Sequence, residues 1–272
     1  MRNVGRKLAF VLAACNHGTM IVNRFDQRLT GDGAIGVGSQ MLEAAAYDPL
    51  EIELALQLID ARHRLHGDGV VAIDCGANIG AHTIEWAIAM TGWGSVVAIE
   101  AQERIYYALA GNIAINNCFN AIAMHAAVSS ERGVMNVPVP DYFTASSFGS
   151  LELKPRADTE FIGQAVDYGQ STVAIETITI DALSLPRVDF IKLDIEGMEA
   201  EALAGAEQTI MRCRPILLAE HIKAGREPLR SFMDARGYKV VDAGMNLLAV
   251  HKSDPVVNEV QVPETPARSS AA

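Results

Sequence analysis

Val70-Val71-Ala72-Ile73-Asp74-Cys75-Gly76-Ala77-Asn78-Ile79-Gly80 is the stretch whose reading decides the fold. A short apolar run ends in an acid, and two glycines follow before helical spacing sets in over residues 83–90. Such a run is too brief for a helix and reads as a strand buried on both faces. The glycines mark a tight turn from strand to helix, where the backbone can approach a ligand lying over the helix N-terminus. The same unit recurs downstream, with strands expected at 95–100, 121–128, 188–194 and 216–220. Helices are expected between them at 105–116 and 199–212, and after them at 228–236. Two last strands, 238–241 and 247–251, are separated only by residues 242–246, which is too short for a crossover helix. They must run antiparallel. The chain therefore reads as an α/β protein with a Rossmann-like, mostly parallel seven-stranded sheet ending in an antiparallel strand pair.

Upstream, two short apolar runs flank Asn16-His17-Gly18, which predicts a small N-terminal β-hairpin. The basic start of the chain and Leu12-Ala13-Ala14-Cys15 also resemble an export signal, but the apolar run of residues 8–14 is short and a second run follows at once. The hairpin reading is preferred. Residues 1–47 form this hairpin and a glycine-rich linker, and the main domain covers 48–252. Asp48-Pro49 opens its first helix, with Leu50, Leu54 and Leu58, and Ala55 and Ile59 beside them, on the face expected to pack. Residues 134–180 interrupt the α/β rhythm and read as a β-rich insertion. Residues 253–272, rich in Pro, Ser, Thr, Glu and Ala, read as a disordered tail.

A formal net charge of −11 argues against nucleic acid and anionic membranes as partners and suits a small or neutral acceptor. No apolar stretch approaches the roughly 18 residues a membrane-spanning helix needs. Cys15, Cys75, Cys118 and Cys213 lack zinc-ligand spacing and read as reduced thiols of a cytosolic protein. The sequence leaves the oligomeric state open.

Chemistry-bearing residues gather at the predicted strand ends, where open sheets bind ligands. Gly76 and Gly80 do not have the G-x-G-x-x-G spacing of a pyrophosphate site, and Asp74 suits a cationic ligand better. Glu100, twenty residues beyond Gly80, can accept hydrogen bonds from both ribose hydroxyls of an adenosine-containing cofactor. His125-Ala126-Ala127-Val128 offers small residues beside an adenine ring, with His125 itself read as a packed histidine. Asp194 and Glu196 leave the end of a central strand together, and the Asp-or-Asn-Pro-Pro-aromatic motif of base-modifying amino methyltransferases is absent there.

The runs 73–80, Ala127-Val128-Ser129 and Ile191-Lys192-Leu193-Asp194-Ile195-Glu196-Gly197-Met198-Glu199 resemble the FkbM family of methyltransferases. Gly205-Ala206 and Arg214-Pro215, leading to Glu220, fall where that family has similar residues. The resemblance covers residues 68–220 and implies a class I methyltransferase fold using S-adenosylmethionine for O-methylation of a hydroxyl on a sugar, glycan or natural product. It implies that Asp74, Gly76, Asn78, Gly80 and Glu100 hold the cofactor, with Asp194 near the methyl. Ala77, Thr83 and Ala127 join that cofactor set.

An acceptor hydroxyl must lose its proton, so a base is required. The candidates are Asp194, Glu196, Glu220 and His221, with His221 and Asp194 favoured. Asp194, Glu220 and His221 also form a conceivable divalent-metal trio, although no metal is expected. The stretch 142–153, containing Ser146, Ser147 and Gly149, is positioned to close over the acceptor. Two other functions stay open: an NAD(P)-dependent oxidoreductase, and a non-catalytic protein that binds a metabolite or partner.

Overall fold

The computed structural model of the chain describes residues 7–31 and 33–258. It begins with the antiparallel hairpin of β1 (Phe10–Cys15) and β2 (Gly18–Asn23), in which Cys15 faces Gly18 across the turn. The glycine-rich linker is structured. It holds a second small ladder, β3 (Arg28–Thr30) with β4 (Gly33–Ile35), and a helix, α1 (Val37–Ala44), that periodicity alone does not reveal. The helix α2 (Pro49–His66) then starts at the expected Asp48-Pro49 step.

The repeating core follows as β5 (Val70–Cys75), α3 (Ala81–Ala89), β6 (Gly94–Glu100), α4 (Glu103–Ile115) and β7 (Ala121–His125). The chain then leaves the main sheet through β8 (Ala127–Val128), β9 (Gly133–Pro138) and β10 (Thr172–Ile178), and returns to it with β11 (Phe190–Leu193). The chain closes through α5 (Glu199–Ala204), α6 (Glu207–Cys213), β12 (Ile216–Glu220), α7 (Arg226–Ala235), β13 (Tyr238–Ala243) and β14 (Asn246–His251). Seven of these strands form one sheet in the order β13-β14-β12-β11-β5-β6-β7. The pairs from β12 to β7 are parallel, while β14 runs antiparallel to both β12 and β13. Chain order reverses direction between β5 and β11, which opens a crevice at the carboxyl ends of the strands.

Both faces of this sheet are covered, as apolar strands require. Val70, Ala72, Phe190, Leu218 and Leu248 pack on one side with Ala55 and Ile59 of α2, Ile84 and Trp86 of α3, and Ile105 of α4. Their neighbours Ile73, Val97, Ile191, Leu217 and Leu247 pack on the other with Leu203, Ile210, Leu229 and Met233 of α5 to α7. The two-residue alternation is the pleat of the strands read out in burial. The hairpin adds Met20 and Val22 to the first layer.

Several expectations need correction. On α2, Ala55, Leu58 and Ile59 pack as expected and Ile52 and Arg62 join them, whereas Leu50 is 80% exposed. The buried Arg62 guanidinium meets Asp189 and Asp254, which favours this rotation of the helix. The single strand expected at 121–128 splits, because the Ala126 amide turns back to the Glu100 carbonyl and β8 joins β10 in a separate three-stranded sheet. The helix expected at 199–212 breaks at Gly205, whose approach to the Ser129 carbonyl leaves no room for a Cβ. Of the β-rich insertion, only β9 and β10 are strands, and residues 139–171 between them contain no helix or strand. Residues 253–258, assigned to the tail by composition, pack instead: Asp254 and Val256 are buried and Pro255–Asn258 form a 3-10 turn. The rest of the expected tail lies outside the described residues. Among the described residues, no helix is long and apolar enough to cross a membrane.

Candidate functional site

The crevice at the strand ends is a cavity of about 400 Å³, lined by segments between Arg28 and Asn246. Its floor is the turn Gly76-Ala77-Asn78 after β5. Gly76 has φ +78, and a Cβ there would overlap the Asp194 carbonyl oxygen, so glycine lets the ends of β5 and β11 close on each other. Asn78 also has positive φ, and its amide donates to Glu100 Oε2 at 2.9 Å. The Gln102 amide donates to Glu100 Oε1 at 2.8 Å. Two main-chain donors thus orient the Glu100 carboxylate, which stays on the cavity wall with lone pairs to spare. Burial pushes its pKa up to about 7; the Gln102 and Asn78 amides act against that rise, and the Asp74 charge adds to it. Ala126, Ala127 and Val128 line the adjoining wall.

The other end of the cavity is acidic. Asp194, Glu196 and Glu220 all line it. Lys192 Nζ lies 2.8 Å from Asp194 Oδ2 and 3.8 Å from Glu51 Oε1. Burial opposes the charge on Lys192, but Asp194, Glu51 and Asp74 hold it protonated well above its usual range. Glu51 in turn accepts from Asn246 Nδ2 at 2.7 Å and lies 3.1 Å from His82 Nε2. Burial alone raises Glu51, yet the adjacent His82 imidazole and the Lys192 charge outweigh it and bring the group down to about 2. Lys223 pairs with Glu196 and lies 3.1 Å from Glu160, which also pairs with Arg28. Every Lys and Arg on the cavity wall already meets a carboxylate.

Glu220 differs from its neighbours. Its Oε2 is buried and has no hydrogen-bond partner, and burial first, then the Asp194 charge, raises its pKa. Glu196 is raised by the same two causes, opposed by Lys223. A carboxylate whose pKa rises toward neutrality gains basicity while a share of it stays ionised and able to take a proton.

Not every residue expected at the site reaches the cavity. Asp74 is 1% exposed and sits behind the turn, its Oδ2 accepting from Thr83 Oγ1 at 2.6 Å while Oδ1 lacks a partner. Thr83 serves that bond, and Gly80 caps α3 with φ +93 against Leu109. These three support the turn from behind. His221, a favoured base, is absent from the cavity lining: its backbone amide bonds to the Met245 carbonyl, and the chain turns there. For the same reason the trio Asp194, Glu220 and His221 does not converge, and among the described residues no group of three or more His, Cys, Asp or Glu side chains is arranged to hold a metal ion. His125 packs as expected, its ring stacked on Tyr106 with Nε2 3.1 Å from the Ala101 carbonyl.

Sequence reasoning missed Glu51, Tyr47, Lys192, Gln102 and the α1 residues Val37 and Gln40, all of which line the cavity. Lys192 alone carried a signal, a lysine inside an apolar strand beside Asp194. Of the insertion, Ser147, Gly149, Ser150, Leu151 and Leu153 line the cavity, and Ser146 sits just behind them.

No curated protein matches the chain in sequence. Among solved structures, a methyltransferase FkbM from Methylobacillus flagellatus KT is similar at 18% identity and a TM-score of 0.45, covering 68% of this chain and 43% of that one. The chain therefore spans less than half the length of that relative. The magnesium protoporphyrin IX methyltransferase from Synechocystis PCC 6803, solved with bound SAM, is similar at 12% identity and TM-score 0.41, over 74% of this chain and 78% of that one. A tRNA (uracil-54, C5)-methyltransferase from Pyrococcus abyssi is similar at 11% identity and TM-score 0.41, over 90% and 44%. Likeness at this level says nothing about substrate. The sequence model of the methyltransferase FkbM domain, in contrast, matches residues 74–240, from the acid near the end of the first core strand through the carboxylates of the cavity into the final strand pair. The reversed strand β14, the glycine turn and the acids at the strand ends lie within or against that span, and the chain belongs to the methyltransferase FkbM domain family.

Proposed function

We propose that the chain is an S-adenosylmethionine-dependent O-methyltransferase acting on a hydroxyl of a sugar, glycan or natural product. The observation that carries the cofactor reading is Glu100, a buried carboxylate held by two main-chain amides and facing the cavity beside a glycine turn. A ribose diol supplies two donors for such a group. The small wall at Ala126 and Ala127 fits an adenine ring, and the surplus of acids at the far end fits a cation. The bound cofactor would supply an electrophilic methyl on a sulfonium. The spacing of Gly76 and Gly80 and the reversed strand β14 both disfavour a nicotinamide dinucleotide.

The chain's own residues then have separate tasks. Glu100 holds the ribose, and Gly76-Ala77-Asn78 gives the backbone a close approach. Asp194, held by Lys192, orients the acceptor from the wall. Glu220, unpartnered at Oε2 and raised in pKa, takes the hydroxyl proton in place of the expected His221. Orientation of two bound reactants supplies most of the rate. Because each wall cation is already paired, a phosphate or carboxylate on the acceptor finds no free partner, which agrees with the net charge of −11 in disfavouring nucleic acid. The donor is a cytosolic metabolite, and the reading assigns the enzyme to the cytosol.

Calorimetric titration with S-adenosylhomocysteine, NAD and NADP tests this reading. Binding of S-adenosylhomocysteine alone, lost in Glu100→Ala, is the expected result. Binding of a nicotinamide cofactor instead would overturn it. Binding without turnover on any acceptor would favour a non-catalytic role.

A further inference from the structure

Asp26 lies well before the family-matched residues, yet it is 2% exposed and ties two distant segments together. Its Oδ2 accepts from the Gly38 amide at 3.0 Å, and its Oδ1 accepts from the Phe148 amide at 3.0 Å. Its own carbonyl accepts from the Ser39 amide at 2.9 Å, and Ser146 donates its amide to the neighbouring Phe25 carbonyl at 3.0 Å. The approach is close enough that a Cβ at Gly36 or Gly38 would overlap Asp26 or Asn23. On its far side, Phe148 accepts from Gln102 Nε2 at 2.9 Å, and the Gln102 amide is one of the two that orient Glu100.

The residues flanking these anchors face the cavity. Gly36, Val37 and Gln40 line it from the N-terminal segment, and Ser147 and Gly149 line it on either side of the pinned Phe148. The two segments converge at the glycine turn, since a Cβ on Gly149 would stand 3.1 Å from Asn78 Nδ2 and 3.9 Å from Val37 Cγ2.

Resting on the cofactor reading above, we propose that Asp26 is a positioning residue. It clasps the N-terminal segment to the 139–171 segment so that together they form one wall of the cofactor site. The wall reaches Glu100 through Phe148 and Gln102. The family-matched residues therefore do not make the complete pocket, and residues between Arg28 and Glu51 belong to it.

The test uses S-adenosylhomocysteine as probe on the full chain, with amide hydrogen exchange as a readout independent of affinity. Asp26→Asn keeps the shape of the side chain but turns a donor toward one of the two amides. Losing a hydrogen bond to a charged group that holds the wall should weaken probe binding about tenfold or more. The Gly38 and Phe148 amides should exchange faster together, while those of β5 keep their protection. The control Asp254→Asn breaks the buried pair with Arg62, away from the cavity, and should lower the thermal midpoint without changing affinity. In the wild type, the probe should slow exchange at Gly38 and Phe148 together, a measurement that does not depend on the variant folding. Wild-type affinity in Asp26→Asn, or protection gained at Phe148 without Gly38, overturns the proposal. If the wild type binds no probe, the cofactor reading falls; the clasp then stands or falls on whether Asp26→Asn loosens both amides together or neither.

Discussion

Lowering the pH through neutrality protonates Glu100 in the free protein, and this should loosen the cofactor. Its pKa is about 7 in the folded chain against an ordinary 4.5, because burial disfavours the charge more than the amides of Gln102 and Asn78 restore it. Ribose hydroxyls donate to the carboxylate and favour its ionised form, so binding draws off a proton wherever the free group is still protonated. One unit above this pKa the group is about nine-tenths ionised and one unit below about one-tenth, which makes the affinity ratio roughly tenfold, or about 1.3 kcal/mol. For folding alone the sign is reversed. A raised acid contributes stability that is complete below 4.5 and lost as pH rises through about 7. The assay is calorimetric titration with S-adenosylhomocysteine across this range, in two buffers of different ionisation enthalpy. Near neutrality about half a proton should leave per ligand bound, as linkage requires for a group at its pKa. Glu100→Gln should bind more weakly and without the slope. Affinity that stays level in the wild type, or a slope that survives in Glu100→Gln, would refute the assignment of Glu100 to the ribose.

Other outcomes follow from particular contacts. Gly76→Ala combines a left-handed backbone with overlap against the Asp194 carbonyl, and should cost about 2–4 kcal/mol in a denaturant titration. Arg62→Leu strands the buried carboxylates of Asp189 and Asp254 and should cost about 3–5 kcal/mol by the same measurement. A midpoint at the wild-type value in either would show that the neighbours relax freely. Glu220→Gln should lower turnover by about 10²–10⁴ once an acceptor is in hand, while leaving S-adenosylhomocysteine affinity unchanged. Retained turnover in that variant would return His221 or Asp194 to candidacy as the base.

The sheet was legible because its signals are local. Apolar runs of strand length, glycines at 76 and 80 and the five residues between the last two strands each limit the chain to few conformations. From them alone come the parallel core, the reversed end strand, and the carboxylates Glu100, Asp194, Glu196 and Glu220 at one edge. Which of those groups face the cavity was decided only in three dimensions. Asp74 and Thr83 turned inward to bond each other, His221 gave its backbone to Met245, and Glu220 was left without a partner. The acidic network and the clasp were invisible for a plainer reason. Glu51 meets Asn246 across 195 positions and Asp26 meets Phe148 across 122, and neither pair leaves a periodic mark on the segments that hold it. Periodicity reports how a segment sits on its own core. The charge on a buried lysine, or the pKa of a buried carboxylate, depends on which distant segments the fold brings within a few ångströms.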